Sequence, residues 1–308
     1  MVSLARASLR YEARRFLPAV FAVAFSGLLM LVQLGLLLGM FGTVSVVVDQ
    51  AKADLWVGFA AAPSFDLGRP IPVRHEAALY MHPDVVTVER LLVGYADWRD
   101  PGGRPTGGML IGVDPSDAGL SIPASFTPAL RRALREPGAV IVDEADAGKL
   151  GARTGELVEI NGRRARVAGF STGFRSIGGA YIFCSLYTAS LLLGPQLGPM
   201  AANADSITYL LLRLRDPTRA ETVRDALQPR GARPPYRIWT AAEFSEQSQR
   251  YWLLESGAGA GFAFSSSLGL LVGVVVTSQT LMAALIASLR EYATLRALGV
   301  SRRRLGAV

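Results

Sequence analysis

An acidic run at residues 143–146 has the letters DEAD, which ATP-dependent helicases use beside a bound nucleotide. That box works only with a GxxxxGK(S/T) loop that binds the phosphates, and the sequence has no such loop. The run instead predicts a helix start, with Asp143 as the N-cap and the other acids in the first turn, where the helix dipole favours negative charge. We therefore predict no nucleotide site here.

Two further groups of residues could in principle bind a cofactor or a metal. Gly257, Gly259 and Gly261 alternate as in dinucleotide-binding loops, but no βαβ pattern surrounds them and they border an apolar run. His75 and His82 lie seven residues apart across a proline, which is not a spacing of known metal ligands. We interpret the glycines as sites of close helix approach or flexing, and the histidines as solvated loop residues.

No other arrangement in the sequence indicates catalysis. There is no GxSxG elbow and no histidine-paired nucleophile, and Cys184 is the single cysteine, which excludes an intrachain disulfide. We expect a non-catalytic chain without a cofactor.

Two long uncharged runs dominate the sequence. Residues 17–48 and 256–289 contain no Asp, Glu, Lys or Arg over 32 and 34 positions. A helix needs about 20 apolar residues to cross a bilayer, so each run is predicted to span the membrane. The first run is too long for a cleaved signal peptide and lacks its small-residue cleavage site.

The basic residues concentrate beside these runs. Net charge is +3 before residue 17 and +4 after residue 289, whereas residues 49–255 carry no net charge. This asymmetry predicts both termini in the cytoplasm and the middle segment outside, in a bacterial inner membrane. The neutral outer segment argues against nucleic acid, which binds a basic face.

The outer segment alternates between strand and helix patterns. Strand–helix–strand units at both its ends predict an α+β fold with a β-rich insertion between them. Asn161-Gly162 predicts a hairpin turn within residues 158–166. Polar residues 241–255 are expected to form one continuous stalk helix with the second span. The fold class is therefore a membrane protein in which two transmembrane helices flank a periplasmic α+β domain.

The expected domains are a cytoplasmic amphipathic helix (1–16), the first span (17–48), the periplasmic domain with its stalk (49–255), the second span (256–289) and a cytoplasmic segment (290–308).

Each span holds a GxxxG pair, which predicts a surface for helix packing. The four glycines are Gly35, Gly39, Gly269 and Gly273.

Residues 290–305, REYATLRALGVSRRRL, resemble the cytoplasmic coupling segment of the MacB/FtsX-type ABC transporter permeases. The amphipathic start at 8–16 is similar to the N-terminal segment of that family, and residues 140–170 resemble its periplasmic domain. Within the family, ADLWVGF at 53–59 with SFDLGRPIP at 64–72 resembles the DevC subgroup, which exports lipids or glycolipids.

The resemblance implies a mechanotransmission-type efflux permease for a lipid, glycolipid or other hydrophobic cargo. A partner ABC ATPase would hydrolyse ATP and push on the coupling segment. A second permease copy, a periplasmic adaptor, an outer-membrane duct and membrane lipid are the other implied partners. The implied ATPase-coupling residues are Arg290, Glu291, Tyr292, Leu295, Arg296, Leu298 and Gly299.

Other functions fit the same topology. An FtsX-like regulator of wall hydrolases and a lipoprotein-release subunit share it, as do a two-helix membrane sensor and a membrane-anchored periplasmic enzyme. The family has four spanning helices, whereas this chain ends at Val308, where the third would begin. The resemblance therefore implies a fragment, a truncated product or half of a split permease.

Overall fold

The computed structural model describes residues 13–175, 179–194, 206–231 and 234–297. The chain divides into two units. One, here called the helical unit, combines Met1–Gly39 with Gly257–Val308. The other, here called the outer unit, is Met40–Ser256.

Nine α-helices and eleven strands occur in the described residues. The helices are α1 (Ala13–Val44), α2 (Val46–Gln50), α3 (His75–Tyr80), α4 (Pro128–Leu134), α5 (Glu144–Leu150), α6 (Leu186–Leu193), α7 (Ala220–Leu227), α8 (Ala241–Arg250) and α9 (Ala258–Ala297). The strands are β1 (Leu55–Gly58), β2 (Ile71–Pro72), β3 (Val85–Arg99), β4 (Pro105–Val113), β5 (Ala139–Asp143), β6 (Leu157–Ile160), β7 (Arg163–Ser171), β8 (Ala180–Ser185), β9 (Ser206–Ile207), β10 (Tyr209–Leu214) and β11 (Arg237–Thr240). Short 3₁₀ turns at Phe65–Leu67 and Pro217–Arg219 and a π-helix at Tyr251–Glu255 complete the set.

The helical unit contains α9 and most of α1. In α9, Gly259–Gln279 is a stretch of 21 residues that is long and apolar enough to cross a membrane. In α1 the described apolar stretch is Val23–Leu36, which is shorter than a span. One membrane helix is thus supported by length and composition, and a pair of flanking spans stays a prediction.

The long strand β3 belongs to both halves of a nine-stranded sheet in the outer unit. Its first half pairs with β10, which gives the antiparallel order β11-β1-β10-β3. Its second half pairs with β4, and the order continues β3-β4-β8-β5-β7-β6. Strand β6 then pairs back onto β3 at Trp98 and Arg99, which closes a ring of six strands.

The ring mixes strand directions. β4 pairs with β8, and β5 with β7, in parallel, whereas the other ring pairs are antiparallel. Helices α3, α7 and α8 accompany the antiparallel half, so the prediction of a mixed α+β fold is confirmed. Ring strands β4 to β8 lie between the two predicted strand–helix–strand units, whereas β3 belongs to the first of those units.

Two apolar cores lie on opposite faces of the sheet. Strand β1 is buried on both faces, because Leu55 and Val57 enter one core and Trp56 enters the other. The second core is rich in aromatic rings, among them Phe65, Tyr209, Trp239 and Phe244. It is this aromatic core that receives helix α8.

The hairpin between β6 and β7 turns at Asn161-Gly162, as predicted. Both residues have positive φ, 51° and 77°, which this pair of residue types tolerates in a two-residue turn. The Asn161 side chain accepts a hydrogen bond from the backbone N–H of Asp97 and donates one to the carbonyl of Leu192. The turn is therefore also fixed to β3 and α6.

The residues that end the first predicted span lie in the outer unit instead. Helix α1 ends at Val44, and Val46, Val47 and Val48 are buried in the aromatic core as part of α2. In sequence they look like three more lipid-facing residues, because an apolar run does not distinguish lipid from a protein core.

Candidate functional site

Helix α8 begins at a capping box that fixes its direction relative to β11. The Thr240 hydroxyl accepts a hydrogen bond from the Glu243 backbone N–H at 3.2 Å, and the Glu243 carboxylate accepts one from the Thr240 N–H at 3.0 Å. Burial by itself would raise the pKa of Glu243. These hydrogen bonds and the ion pair with Arg224 outweigh that effect and lower the pKa. The connection between β11 and α8 is therefore stabilised by two side-chain–backbone hydrogen bonds and one ion pair.

Phe244 carries the apolar face of α8 into the aromatic core. Its ring lies 4.8 Å from that of Trp239, 5.4 Å from Tyr209 and 5.6 Å from Trp56, measured between centroids. Phe244 has no exposed surface. Burial of this residue fixes α8 against β1, β10 and β11.

A loop at residues 60–68 is hydrogen-bonded along the face of α8 that also carries Phe244. Gln247 Nε2 donates to the Ala62 carbonyl at 2.7 Å, and the Phe65 backbone N–H donates to Ser248 Oγ at 3.1 Å. One turn further on, Trp252 Nε1 donates to Ser64 Oγ at 3.2 Å and to Asp66 Oδ1 at 3.1 Å. The loop follows the helix for more than one turn.

Helix α2 is also bonded to α8. Gln249 Nε2 donates to Ser45 Oγ at 2.8 Å, and the Ser45 hydroxyl donates to the Asp49 carboxylate at 2.7 Å. α2 directly follows α1, and α8 comes shortly before α9. The chain segments that connect to the two long helices are thus joined to each other inside the outer unit.

These contacts define what we call the stalk junction: α2, the loop 60–68, α8 and the π-helix Tyr251–Glu255. Its hydrogen bonds and its buried aromatic rings hold two chain segments and one sheet as a rigid assembly. The junction can transmit a mechanical displacement, because a movement of α2 or α8 must either carry the hydrogen-bonded partners along or break the hydrogen bonds.

The predicted continuous stalk is wrong. After α8 the chain forms a π-helix, in which the Ser256 N–H donates to the Tyr251 carbonyl at 2.8 Å. Gly257 then has φ of +80°, a left-handed conformation that ends a helix, and α9 starts at Ala258. The break falls at Gly257, one of the three glycines interpreted above as sites of close helix approach or flexing.

The predicted coupling residues fall at the end of α9. The backbone of Arg290, Glu291, Tyr292, Leu295 and Arg296 is helical and continuous with the rest of α9. Leu298 and Gly299 lie outside the described residues. The role of all seven predicted coupling residues in binding an ATPase stays a prediction.

One of the four predicted packing glycines lies at a helix contact. A Cβ at Gly273 would lie 2.9 Å from Ser26 Cβ, so α1 and α9 approach closely at this point. Around Gly35, Gly39 and Gly269 a Cβ would lie within 4 Å of no neighbouring atom in the part of the chain that the structure describes. Sequence reasoning missed Ser26, which is a small residue outside any GxxxG pair.

The acidic run at 143–146 is a helix start, as predicted. Asp143 ends β5, and its carboxylate accepts hydrogen bonds from the N–H groups of Ala145 at 3.0 Å and Phe174 at 2.8 Å. It therefore caps α5 and fixes the segment after β7.

The prediction of solvated loop histidines is wrong for His75, which lies in helix α3 with a buried Nε2 atom. His75 packs on Tyr236 with ring centroids 4.9 Å apart, and burial, helped by Arg74, lowers its pKa. His82 Nδ1 accepts a hydrogen bond from the Asp84 N–H at 3.3 Å. Across the described residues, no three His, Cys, Asp or Glu side chains form a group that could hold a metal.

Comparison with protein-family models and with curated protein sequences gives no match. Among solved structures, the periplasmic region of MacB from Actinobacillus actinomycetemcomitans aligns with a TM-score of 0.42 and 11% identity, covering 65% of this chain and 94% of that one. The extracellular domain of the noncanonic ABC-type transporter YknZ from Gram-positive bacteria aligns with a TM-score of 0.39 and 14% identity, covering 60% and 99%. At these scores the alignments assign no function to the chain.

Proposed function

We propose that this chain is a permease subunit of an ATP-driven, mechanotransmission-type exporter in a bacterial inner membrane. Its cargo class is a lipid, a glycolipid or another hydrophobic molecule. A separate ABC ATPase hydrolyses ATP, and a second copy of the chain, a periplasmic adaptor and an outer-membrane duct complete the machine. The chain itself performs no chemistry.

The stalk junction is the observation that carries this proposal. A machine of this kind needs a stiff connection between its membrane helices and its outer domain. Here Gln249 bonds to Ser45, and Trp252 bonds to the loop 60–68, so both connecting segments share one hydrogen-bonded assembly. Phe244 and Phe65 join that assembly to the aromatic core of the sheet. A displacement of either segment would therefore reach the sheet.

Residues 290–299, which follow the second predicted span, form the proposed contact with the ATPase. In the proposal, closure of the ATPase dimer pushes on residues 290–299, whose sequence resembles a family coupling segment. Tyr292, Leu295 and Leu298 recur at helical spacing, which suits an apolar face that docks in a groove of a cytoplasmic partner.

Co-purification tests the proposal. The full chain is isolated from detergent-solubilised membranes and compared with the Leu295→Glu, Leu298→Glu double variant. The Ala293→Glu, Ala297→Glu variant is the matched control, because it adds the same two charges away from the Leu295 direction of the helix. We expect an ATP-binding subunit with the wild type and the control but not with the double variant. Absence of an ATPase from the wild-type sample would overturn the proposal.

A further inference from the structure

A cleft of about 540 Å³ lies beside the stalk junction, wholly within the outer unit. One wall is the loop at 60–63, which presents three alanines and a proline, and the other is α8. The edge strand β11 supplies the floor through Arg237 and Trp239. This volume is in the range of small-ligand sites and suits one polar head group.

The floor of the cleft is held in place before any ligand arrives. Trp239 is buried, its ring stacks on Phe244, and its Nε1–H donates to Gln247 Oε1 at 2.9 Å. The guanidinium of Arg237 lies over the Trp239 ring at 5.4 Å from the centroid. A stacked guanidinium keeps its N–H edge free for a bidentate bond to phosphate or carboxylate.

Charges of both signs line the cleft. Arg237 and Arg250 supply two cations, and Glu246 and Glu255 supply two anions. In the described part of the chain none of these four makes an ion pair, whereas the fifth charged residue of the cleft, Glu243, is paired with Arg224. A ligand that carries an anion and a cation would meet complementary partners for each.

We infer that this cleft binds a zwitterionic head group, in which a phosphodiester contacts Arg237 and Arg250 and an ammonium contacts Glu246, which lies one helical turn from Arg250. The inference rests on the proposed function, because it names the class of amphiphile that such an exporter would take. The sequence places Glu255 four residues before Gly259, the first residue of the apolar stretch in α9. Chain connectivity thus favours a membrane lipid as the source of the head group.

Binding of soluble probes to the full chain in a zwitterion-free detergent tests the inference. Glycerophosphoethanolamine is compared with glycerophosphate, which lacks the cation, and with ethanolamine, which lacks the anion. We expect glycerophosphoethanolamine to bind at least about tenfold more tightly than either, since only it can form charge-assisted bonds both to the two arginines and to Glu246. Equal binding of glycerophosphate would overturn a zwitterion site.

Matched variants assign the binding to the cleft. Arg237→Gln and Glu246→Gln should each weaken binding by about tenfold, because each removes one charge-assisted partner. Arg163→Gln, on β7, and Glu221→Gln, on α7, are controls at exposed positions outside the cleft and should leave binding unchanged. Equal affinity of the cleft variants and the wild type would overturn the assignment.

Two further measurements distinguish a membrane lipid from a soluble ligand, and failure of the cleft inference from failure of the proposed function. Nanodiscs of phosphatidylethanolamine should compete with the soluble probe, whereas phosphatidylglycerol nanodiscs should not. Failure of phosphatidylethanolamine to compete would overturn the lipid source. Co-purification of the ATPase is measured on the same variants and should be unaffected. An ATPase that co-purifies with a chain that binds no probe would refute the cleft while leaving the permease proposal standing.

Discussion

Gln249 Nε2 donates a hydrogen bond to Ser45 Oγ at 2.8 Å, across 204 positions of the sequence. Ser45 is the residue between α1 and α2, and Gln249 lies in the last turn of α8. The bond therefore links the two segments through which the outer unit is covalently attached to the long helices.

Gln249→Ala should loosen this link. Loss of one side-chain hydrogen bond costs about 1 kcal/mol, which would raise the local opening of α2 about fivefold. Amide hydrogen exchange of residues 46–50 in the full chain measures that opening. Glu246→Ala, on the same helix but pointing into the cleft, is the control. Unchanged exchange in Gln249→Ala would show that the bond does not restrain α2.

Phe65 should be the residue on which the loop 60–68 depends most. It is fully buried, and its ring lies 5.6 Å from Tyr209 and 5.9 Å from Trp56. Phe65→Ala should destabilise the fold by about 3–5 kcal/mol, as large-to-small core changes do. Thermal unfolding of the purified chain measures this, with Leu157→Ala, an exposed position, as the control. Equal shifts in both would contradict the packing described here.

Much of the outer unit could be predicted from local signals. Asp143 at a helix start and Asn161-Gly162 at a hairpin are each decided by a few neighbouring residues, and both were found. The stalk junction could not be predicted in this way. Its bonds, such as that from the Phe65 N–H to Ser248, join positions 183 residues apart. Neither periodicity nor turn chemistry carries information about such distant partners.

The end of α1 and the start of α9 could not be predicted from the sequence either. Val46–Val48 and the α9 sequence are both apolar, although the first enters a protein core and most described residues of Gly259–Gln279 are not buried. Gly257 has the same residue type as Gly259 and Gly261, yet only Gly257 among the three has a positive φ. Its left-handed conformation follows the π-helix Tyr251–Glu255, which the residue types there did not predict.

Gly273→Ala should reveal the close approach of α1 and α9. The new Cβ would lie 2.9 Å from Ser26 Cβ, so the helices must separate, at a cost of about 1–3 kcal/mol. Gly269→Ala, one turn away, meets open space and should be neutral or slightly stabilising, because alanine is the better helix former.

The double change Gly273→Ala, Ser26→Gly removes the opposing Cβ and should recover most of the loss. Thermal unfolding in one detergent compares all the variants. If Gly273→Ala and Gly269→Ala unfold at the same temperature, the contact does not exist in solution.

Glu89 should make stability depend on pH. Burial raises the pKa of this carboxyl above its ordinary value of 4.5, against the effect of hydrogen bonds from Ser121 and the Leu120 N–H. The folded state therefore binds the proton more tightly than the unfolded state does. It follows that this group's contribution to stability is greatest below the unfolded pKa and is lost as the pH rises through the folded pKa.

Comparing Glu89→Gln with the wild type isolates that contribution. The wild type should lose stability relative to Glu89→Gln as the pH rises from about 4 towards neutrality. Glu221→Gln, an exposed change on α7, should run parallel to the wild type over the same range. A difference between Glu89→Gln and the wild type that does not vary with pH would show that Glu89 ionises equally in both states.

The most direct test of mechanotransmission is hydrogen exchange of the stalk junction in the complex with the co-purified ATPase. Exchange of residues 60–68 and 251–255 is compared without nucleotide and with a non-hydrolysable ATP analogue. We predict a change in both segments on nucleotide binding to the complex, and none in the wild-type chain isolated without the ATPase. Identical exchange in both nucleotide states of the wild-type complex would contradict the account, because no motion would then reach the outer unit.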